Sequence, residues 1–227
     1  MSALLVHFLA IIPGLLICYL IFRLDKYERE PISALIYCFF LGMLATLPVI
    51  YIQQHWGIIP LKKGTLSVTD TVISSFGFAA TAEEFMKFAV LLVGAYPKKF
   101  FNEPVDGIVY AVLVAMGFAT VENVIYGLQF GMNTTIVRAF TAVPAHFVFA
   151  IVQGYYFGIA KFRQKGSAAL LLRGLLIAIC LHGLYDFLIL QELSEWLSVL
   201  GSLYVYVCLY YCGPLIREHL DNSPFRR

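Results

Sequence analysis

Charge is what this sequence has little of. Lys, Arg, Asp and Glu make up 13% of its 227 residues, about half the roughly 25% of an ordinary soluble domain. Hydrophobic residues make up 60% and the mean hydropathy is +0.81, which points to a membrane protein rather than one large soluble core. A formal net charge of +2 offers no electrostatic footprint for nucleic acid, and none is expected as a partner. A cysteine framework is lacking too. Cys18, Cys38, Cys180, Cys208 and Cys212 all lie in apolar runs, with no C-x-x-C pair and no disulfide framework. Cys208 and Cys212, four apart, are expected to pack as small hydrophobes. No internal repeat, low-complexity tract or dividing linker is visible, so residues 1–227 are expected to form one domain. The first apolar run has no basic residue before it, is longer than a secretory h-region and is followed by no A-x-A-like site. It reads as a retained anchor, not a cleaved signal.

What is there is long hydrophobic runs. A helix crosses a bilayer with about 20 apolar residues. Seven runs qualify, at residues 3–22, 32–52, 71–95, 105–128, 136–160, 168–190 and 194–213. The expected fold is therefore an all-α polytopic bundle of about seven transmembrane helices. Apolar character around the third run begins near Leu66, so its outer end reads as a re-entrant or interfacial piece. Lys and Arg set the orientation. Arg23, Lys26 and Arg29, Lys98 and Lys99, Lys161, Arg163, Lys165 and Arg173, and Arg217, Arg226 and Arg227 fall on one side. Only Lys62, Lys63 and Arg138 fall on the other. The bias places the N-terminus outside and the C-terminus in the cytoplasm.

Within these spans lie Glu83, Glu84, Lys87, Glu122, His146, His182 and Asp186. An intramembrane ionisable residue costs a few kcal/mol and usually faces a bundle interior or a wet cavity. Helical spacing, in which residues four or seven apart share a face, supports an inward placement. Gly77, Ala80, Glu84 and Lys87 share one face, while Glu83 lies about 100° away with Ala79. Ala111, Ala115, Ala119 and Glu122 form a second stripe. Ala139, Ala142, His146, Ala150 and Gly154 form a third, and Gly174, Ala178, His182 and Asp186 a fourth. Small residues mark close helix contacts in membranes, so four helices are expected to bring their ionisable groups to one interior. Glu83, Glu84, His146 and His182 fall within roughly 5 Å of their span midpoints, and Glu122 and Asp186 roughly 8–11 Å toward the outer face.

Such a layer suits hydrolysis. One of two adjacent carboxylates beside Lys87 can stay ionised and draw a proton from water. Imidazoles facing it can donate to an oxyanion or protonate a leaving amine, and Asp186, one turn from His182, can fix that ring's tautomer. The same Glu83, Glu84, Glu122, His146 and His182 are also candidate ligands for zinc, which would activate water equally well. No H-E-x-x-H pair is present, and metal-free catalysis is favoured. Intramembrane acids also build proton relays, so an ion-coupled transporter is a further alternative, although no inverted repeat supports it. A non-catalytic scaffold is another. His7, His55 and His219 are expected outside the site, and Asp106 is expected as an N-terminal helix cap or dipole partner.

The wording of these stretches resembles the PrsW family of intramembrane proteases. EEFMK at Glu83–Lys87 looks like that family's E-E-x-x-K motif. GFATVEN, with Phe118, Glu122 and Asn123, looks like its F-x-x-x-E-N motif. PAHFVF with His146 and HGLYD with His182 and Asp186 look like its two histidine motifs. DKYEREP, DGIVY and GYYFGIAK match as well, so the resemblance covers about residues 20–190. It implies a bacterial inner-membrane endopeptidase that makes the first cut in a single-pass anti-sigma factor or similar regulator. The type II CAAX prenyl proteases are similar, with E-E-x-x-x-R, F-x-x-x-H and H-x-x-x-N patterns. Here Lys87 replaces the Arg one residue nearer, Glu122 replaces the His and Asp186 the Asn, which argues against a prenyl-protein substrate. By that analogy Glu83 activates water, whereas the small-residue stripe carries Glu84; both stay open as the base.

Overall fold

A computed structural model describes residues 3–55, 67–163 and 165–226, with side chains from residue 6 onward. Lys62, Lys63 and Arg227, which enter the orientation count, lie outside the described residues, as does Leu66. In lipid a backbone must satisfy its own polar groups, and every long apolar run is accordingly helical. The helices are α1 (Ala3–Leu24), α2 (Ile32–His55), α3 (Val68–Val72), α4 (Thr81–Gly94), α5 (Pro104–Phe130), α6 (Met132–Phe140), α7 (Ala142–Phe162), α8 (Ser167–Leu190) and α9 (Glu195–Asp221). Among the described residues, six helical runs are long and apolar enough to cross a membrane, with α6 and α7 counted as one.

The third expected span differs from the other six. Residues 68–94 are one helical run in three pieces, with a π-helical stretch, Ile73–Ala80, between α3 and α4. The joints at Val72 and Thr81 keep helical angles. Thr81 Oγ1 donates to the Phe76 carbonyl at 2.6 Å, five residues back as in a π turn. The α4 piece alone has 14 residues, about 21 Å, short of a hydrocarbon core of about 30 Å. The fifth expected span is also jointed. Thr141, at φ −122° and ψ −66°, separates the short α6 from α7.

Helix α5 runs through the centre, and every residue from Val105 to Thr120 is buried. That accounts for its being apolar all round. Its neighbours approach to backbone contact. A Cβ on Gly42 of α2 would stand 1.9 Å from the Val114 carbonyl oxygen, and one on Gly117 of α5 the same distance from that of Phe39. The alanine and glycine stripes read from α5, α7 and α8 are buried: Ala111, Ala115 and Ala119; Ala142, Ala150 and Gly154; Gly174 and Ala178. Cys212 is buried in the core, and the five cysteines are free thiols.

At the end where α5 begins, loop 25–31 tucks against its first turn, burying Asp25, Glu30, Glu103 and Asp106. Asp106 Oδ2 accepts from the backbone N–H of Asn102 at 2.6 Å and of Glu103 at 2.8 Å, the capping role expected of it. Tyr110 donates its hydroxyl to Glu30, whose carboxyl also meets that of Asp106. Two carboxyls in contact are held by a shared proton. Burial, reinforced by these neighbours, pushes Asp25 up to about 7 and Glu30 up to about 10. A carboxyl whose folded value is raised binds its proton more tightly folded than unfolded. Its contribution is full below the ordinary carboxylate range and is lost as pH rises through the folded value. The detergent-purified protein should therefore lose thermal stability between about pH 5 and about pH 9, and Glu30→Gln should flatten that decline. A melting temperature that climbs over this range contradicts the assignment.

Candidate active site

Five helices and the end of a sixth meet around the residues singled out from the sequence. Helix α4 contributes Glu83, Glu84 and Lys87, all buried. From α5 come Phe118, Glu122 and Asn123, from α7 His146, and from α8 His182 and Asp186. Because the helices alternate in direction, this cluster lies in the half of the bundle nearer the chain's N-terminus, opposite the loop 25–31 acids.

The two adjacent glutamates differ in their partners. Glu84 Oε1 accepts from Lys87 Nζ at 2.5 Å and from His182 Nδ1 at 2.8 Å. Lys87 Nζ also stands 3.1 Å from His146 Nδ1 and 5.0 Å from the centre of the Phe118 ring. An ammonium is a donor only. It therefore makes His146 Nδ1 the acceptor and leaves the proton on Nε2, which faces Glu122 Oε2 at 3.0 Å. Glu83 has looser ties. Its Oε1 accepts from Gln53 Nε2 of α2 at 3.2 Å, and its Oε2 is buried with no hydrogen-bond partner among the described residues. That oxygen faces His182 Nε2 at 3.8 Å, beyond the roughly 2.7–3.2 Å of an N–H···O bond.

Neither glutamate of α4 points outward. Both glutamates are buried, so the distinction between a stripe with Glu84 and one with Glu83 does not apply. That distinction assumed 3.6 residues per turn from Gly77 on, and the π stretch through Ala80 breaks the register. The tautomer of His182 is likewise held mainly by Glu84; Asp186 Oδ2 lies farther off, 3.4 Å from Nε2. Phe149 stacks on the His182 ring with centroids 4.8 Å apart, and Phe118 borders His146 at 5.8 Å. These ring contacts border both imidazoles. His55 and His219 lie elsewhere: His219 Nδ1 meets the Pro104 carbonyl oxygen at 2.8 Å.

Sequence reasoning missed two members. Arg138, counted above as an outer loop charge, reaches back to donate through Nη2 to Glu122 Oε2 at 2.7 Å and through Nε to Asn123 Oδ1 at 2.8 Å. Its guanidinium also covers the Tyr126 ring at 4.0 Å. A lone arginine at the head of the stripe through Ala139, Ala142 and His146 was the available signal. Gln53 carried none, being a polar residue just past the apolar end of a span.

A cavity of about 500 Å³ opens beside the cluster, lined by Glu83, Glu122, Arg138, His146, His182 and Asp186 among others. Glu83, His146 and His182 offer three ligand atoms within 4.8 Å of one another. One carboxylate and two imidazoles are a catalytic zinc set. The unpartnered Glu83 Oε2 and the adjacent His182 Nε2 suit that role, and the residues fit such an ion. His146 would give up one present partner, Lys87 or Glu122, to join.

The chain is similar to known proteins over most of its length. Residues 30–212 match the family model described as PrsW family intramembrane metalloprotease. The chain is 37% identical over 189 residues to Protease PrsW of Geobacillus kaustophilus, covering 83% of this chain and 81% of that protein. It is 35% identical over 190 residues to Protease PrsW of Bacillus subtilis, covering 82% and 83%. With Protease PrsW of Clostridioides difficile it shares 35% identity over 227 residues, covering 95% and 91%. No solved structure matches significantly.

Arg138 and Glu122 should be energetically coupled. In unfolding measurements on Arg138→Ala, Glu122→Gln and the double variant, the account expects a coupling of about 1–3 kcal/mol. Simple additivity would mean that the pair is incidental.

Proposed function

The chain belongs to the PrsW family of intramembrane proteases, and on that premise we propose that it hydrolyses a peptide bond at the cluster just described, with Glu83 as the base. The observation that carries this is the unpartnered Oε2 of Glu83 beside a cavity, against a Glu84 whose Oε1 is already bonded to Lys87 and His182. A water between Glu83 Oε2 and His182 Nε2 lies within reach of both. Glu83 takes its proton as the oxygen attacks the substrate carbonyl. His146 Nε2–H turns from Glu122 to the developing oxyanion, and Glu122 remains compensated by Arg138. Glu83 then returns the proton to the leaving nitrogen. Glu84, Lys87 and Asp186 position the others, and Phe118 and Asn123 hold Lys87 and Arg138 in place.

The chain is a multi-pass bacterial membrane protein whose family makes the transporter and scaffold alternatives unnecessary. We place the N-terminus outside and the C-terminus in the cytoplasm, and treat residues 1–227 as one catalytic domain. The cavity then opens toward the outer face. That suits a first cut near the outer membrane boundary of a single-pass substrate, such as an anti-sigma factor.

The metal-dependent version is a second reading, favoured by the Glu83, His146 and His182 spacing and by the family's description. Those three residues would hold the ion, and a zinc ion there would acidify water and polarise the carbonyl. Glu84 would then orient His182 through Nδ1, as it does already.

In liposomes with a single-pass reporter, Glu83→Gln should lower cleavage by about a thousandfold or more. Normal cleavage by that variant contradicts the assignment. Cleavage that survives exhaustive chelation supports the metal-free reading. Loss on chelation, restored by zinc, supports the other.

A further inference from the structure

The cavity at the cluster continues sideways. A second cavity of about 260 Å³ lies between α2 and α5, and the two share Gln53, Glu122, Tyr126 and Phe130 as walls. Away from that junction the groove is lined mainly by Thr46, Val49, Ile50, Phe118 and Ile125. Leu47 and Tyr51 of α2 and Leu128 of α5 are exposed nearby, so this side of the bundle faces lipid. Gln54 and Gln129 stand at the same end of the groove as Gln53.

We propose that this α2–α5 groove is the docking surface for an unwound stretch of the substrate's transmembrane segment, and that Gln53 passes that stretch to Glu83. The proposal rests on the protease reading above. A peptide leaving the lipid in extended form must find partners for each backbone N–H and C=O. An acyl chain would need only the apolar walls, and the three glutamines would serve it in nothing. Each glutamine amide both donates and accepts, the complement of a peptide unit. Gln53 sits at the junction with its Nε2 bonded to Glu83 Oε1, which leaves its amide oxygen as an acceptor for a substrate N–H. One side chain thereby ties the register of the incoming strand to the position of the base. Continuity of the groove with the catalytic cavity, rather than its apolar character, selects the substrate as occupant.

The test measures reporter cleavage in liposomes with Ile50→Trp and Ile125→Trp, which fill the groove, and Leu203→Trp on the exposed face of α9. Both groove variants should raise KM about tenfold or more with kcat little changed, and Leu203→Trp should change neither. Gln53→Leu should lower kcat/KM about tenfold. A photo-crosslinking side chain at position 125, in a Glu83→Gln background, should capture the reporter even if the tryptophan variants fold poorly. Unchanged kinetics in the groove variants, an equal effect from Leu203→Trp, or adducts with lipid alone would overturn the groove while leaving the protease intact. A wild-type chain that never cuts the reporter would overturn the protease reading, and the proposal with it.

Discussion

The interior of this bundle depends on one buried ammonium. Lys87 Nζ lies 2.5 Å from Glu84 and 3.1 Å from His146, and Glu84 in turn holds His182. One side chain thus links α4 to α7 directly and to α8 through its partner. A charge at the bilayer centre costs about 2.5–3.5 kcal/mol by insertion scales, and pairing offsets that cost only when the geometry is good. The short contact with Glu84, the acceptor nitrogen of His146 and the face of Phe118 supply it. Because Glu84 serves this role, the adjacent Glu83 is free of it. The division of labour between the two glutamates follows from which of them meets Lys87.

The scaffold makes that meeting possible. Glycines at the α2–α5 and α5–α7 crossings bring backbones into contact, so Glu122 and His146 approach to 3.0 Å. The cluster lies on α5, whose residues from Val105 to Thr120 are all buried, and on α4, α7 and α8 around it, which keeps distances fixed. The π stretch before α4 adds a residue's worth of rotation just ahead of Glu83. It packs against α8, where Gly183 admits the Phe76 ring: a Cβ there would stand 2.4 Å from its Cδ1.

Much of this was legible in the sequence, for physical reasons. Charges in long apolar runs are costly, so Glu83, Glu84, Lys87, Glu122, His146, His182 and Asp186 announced themselves by position alone. Small-residue stripes pointed them inward, and the structure gathers all seven. What was not legible depends on local geometry and on reach. The π stretch carries no distinctive composition, and it undid the face assignment that separated Glu83 from Glu84. Arg138 was read by its place in the chain, yet its long side chain crosses back to Glu122. Gln53 lies at a span's end, where a polar residue costs little and signals nothing. Which carboxylate is bonded and which is open is a matter of tenths of an ångström that spacing does not carry.

The most direct test of this division of labour compares the thermal or denaturant unfolding of Glu84→Gln with that of Glu83→Gln in the same detergent. Removing Glu84 strips a buried ammonium of its counter-charge and should cost about 3 kcal/mol or more. Removing the charge of Glu83, which has one neutral partner and one open oxygen, should leave stability within about 1 kcal/mol of wild type. Equal losses, or a larger loss for Glu83→Gln, would contradict the account.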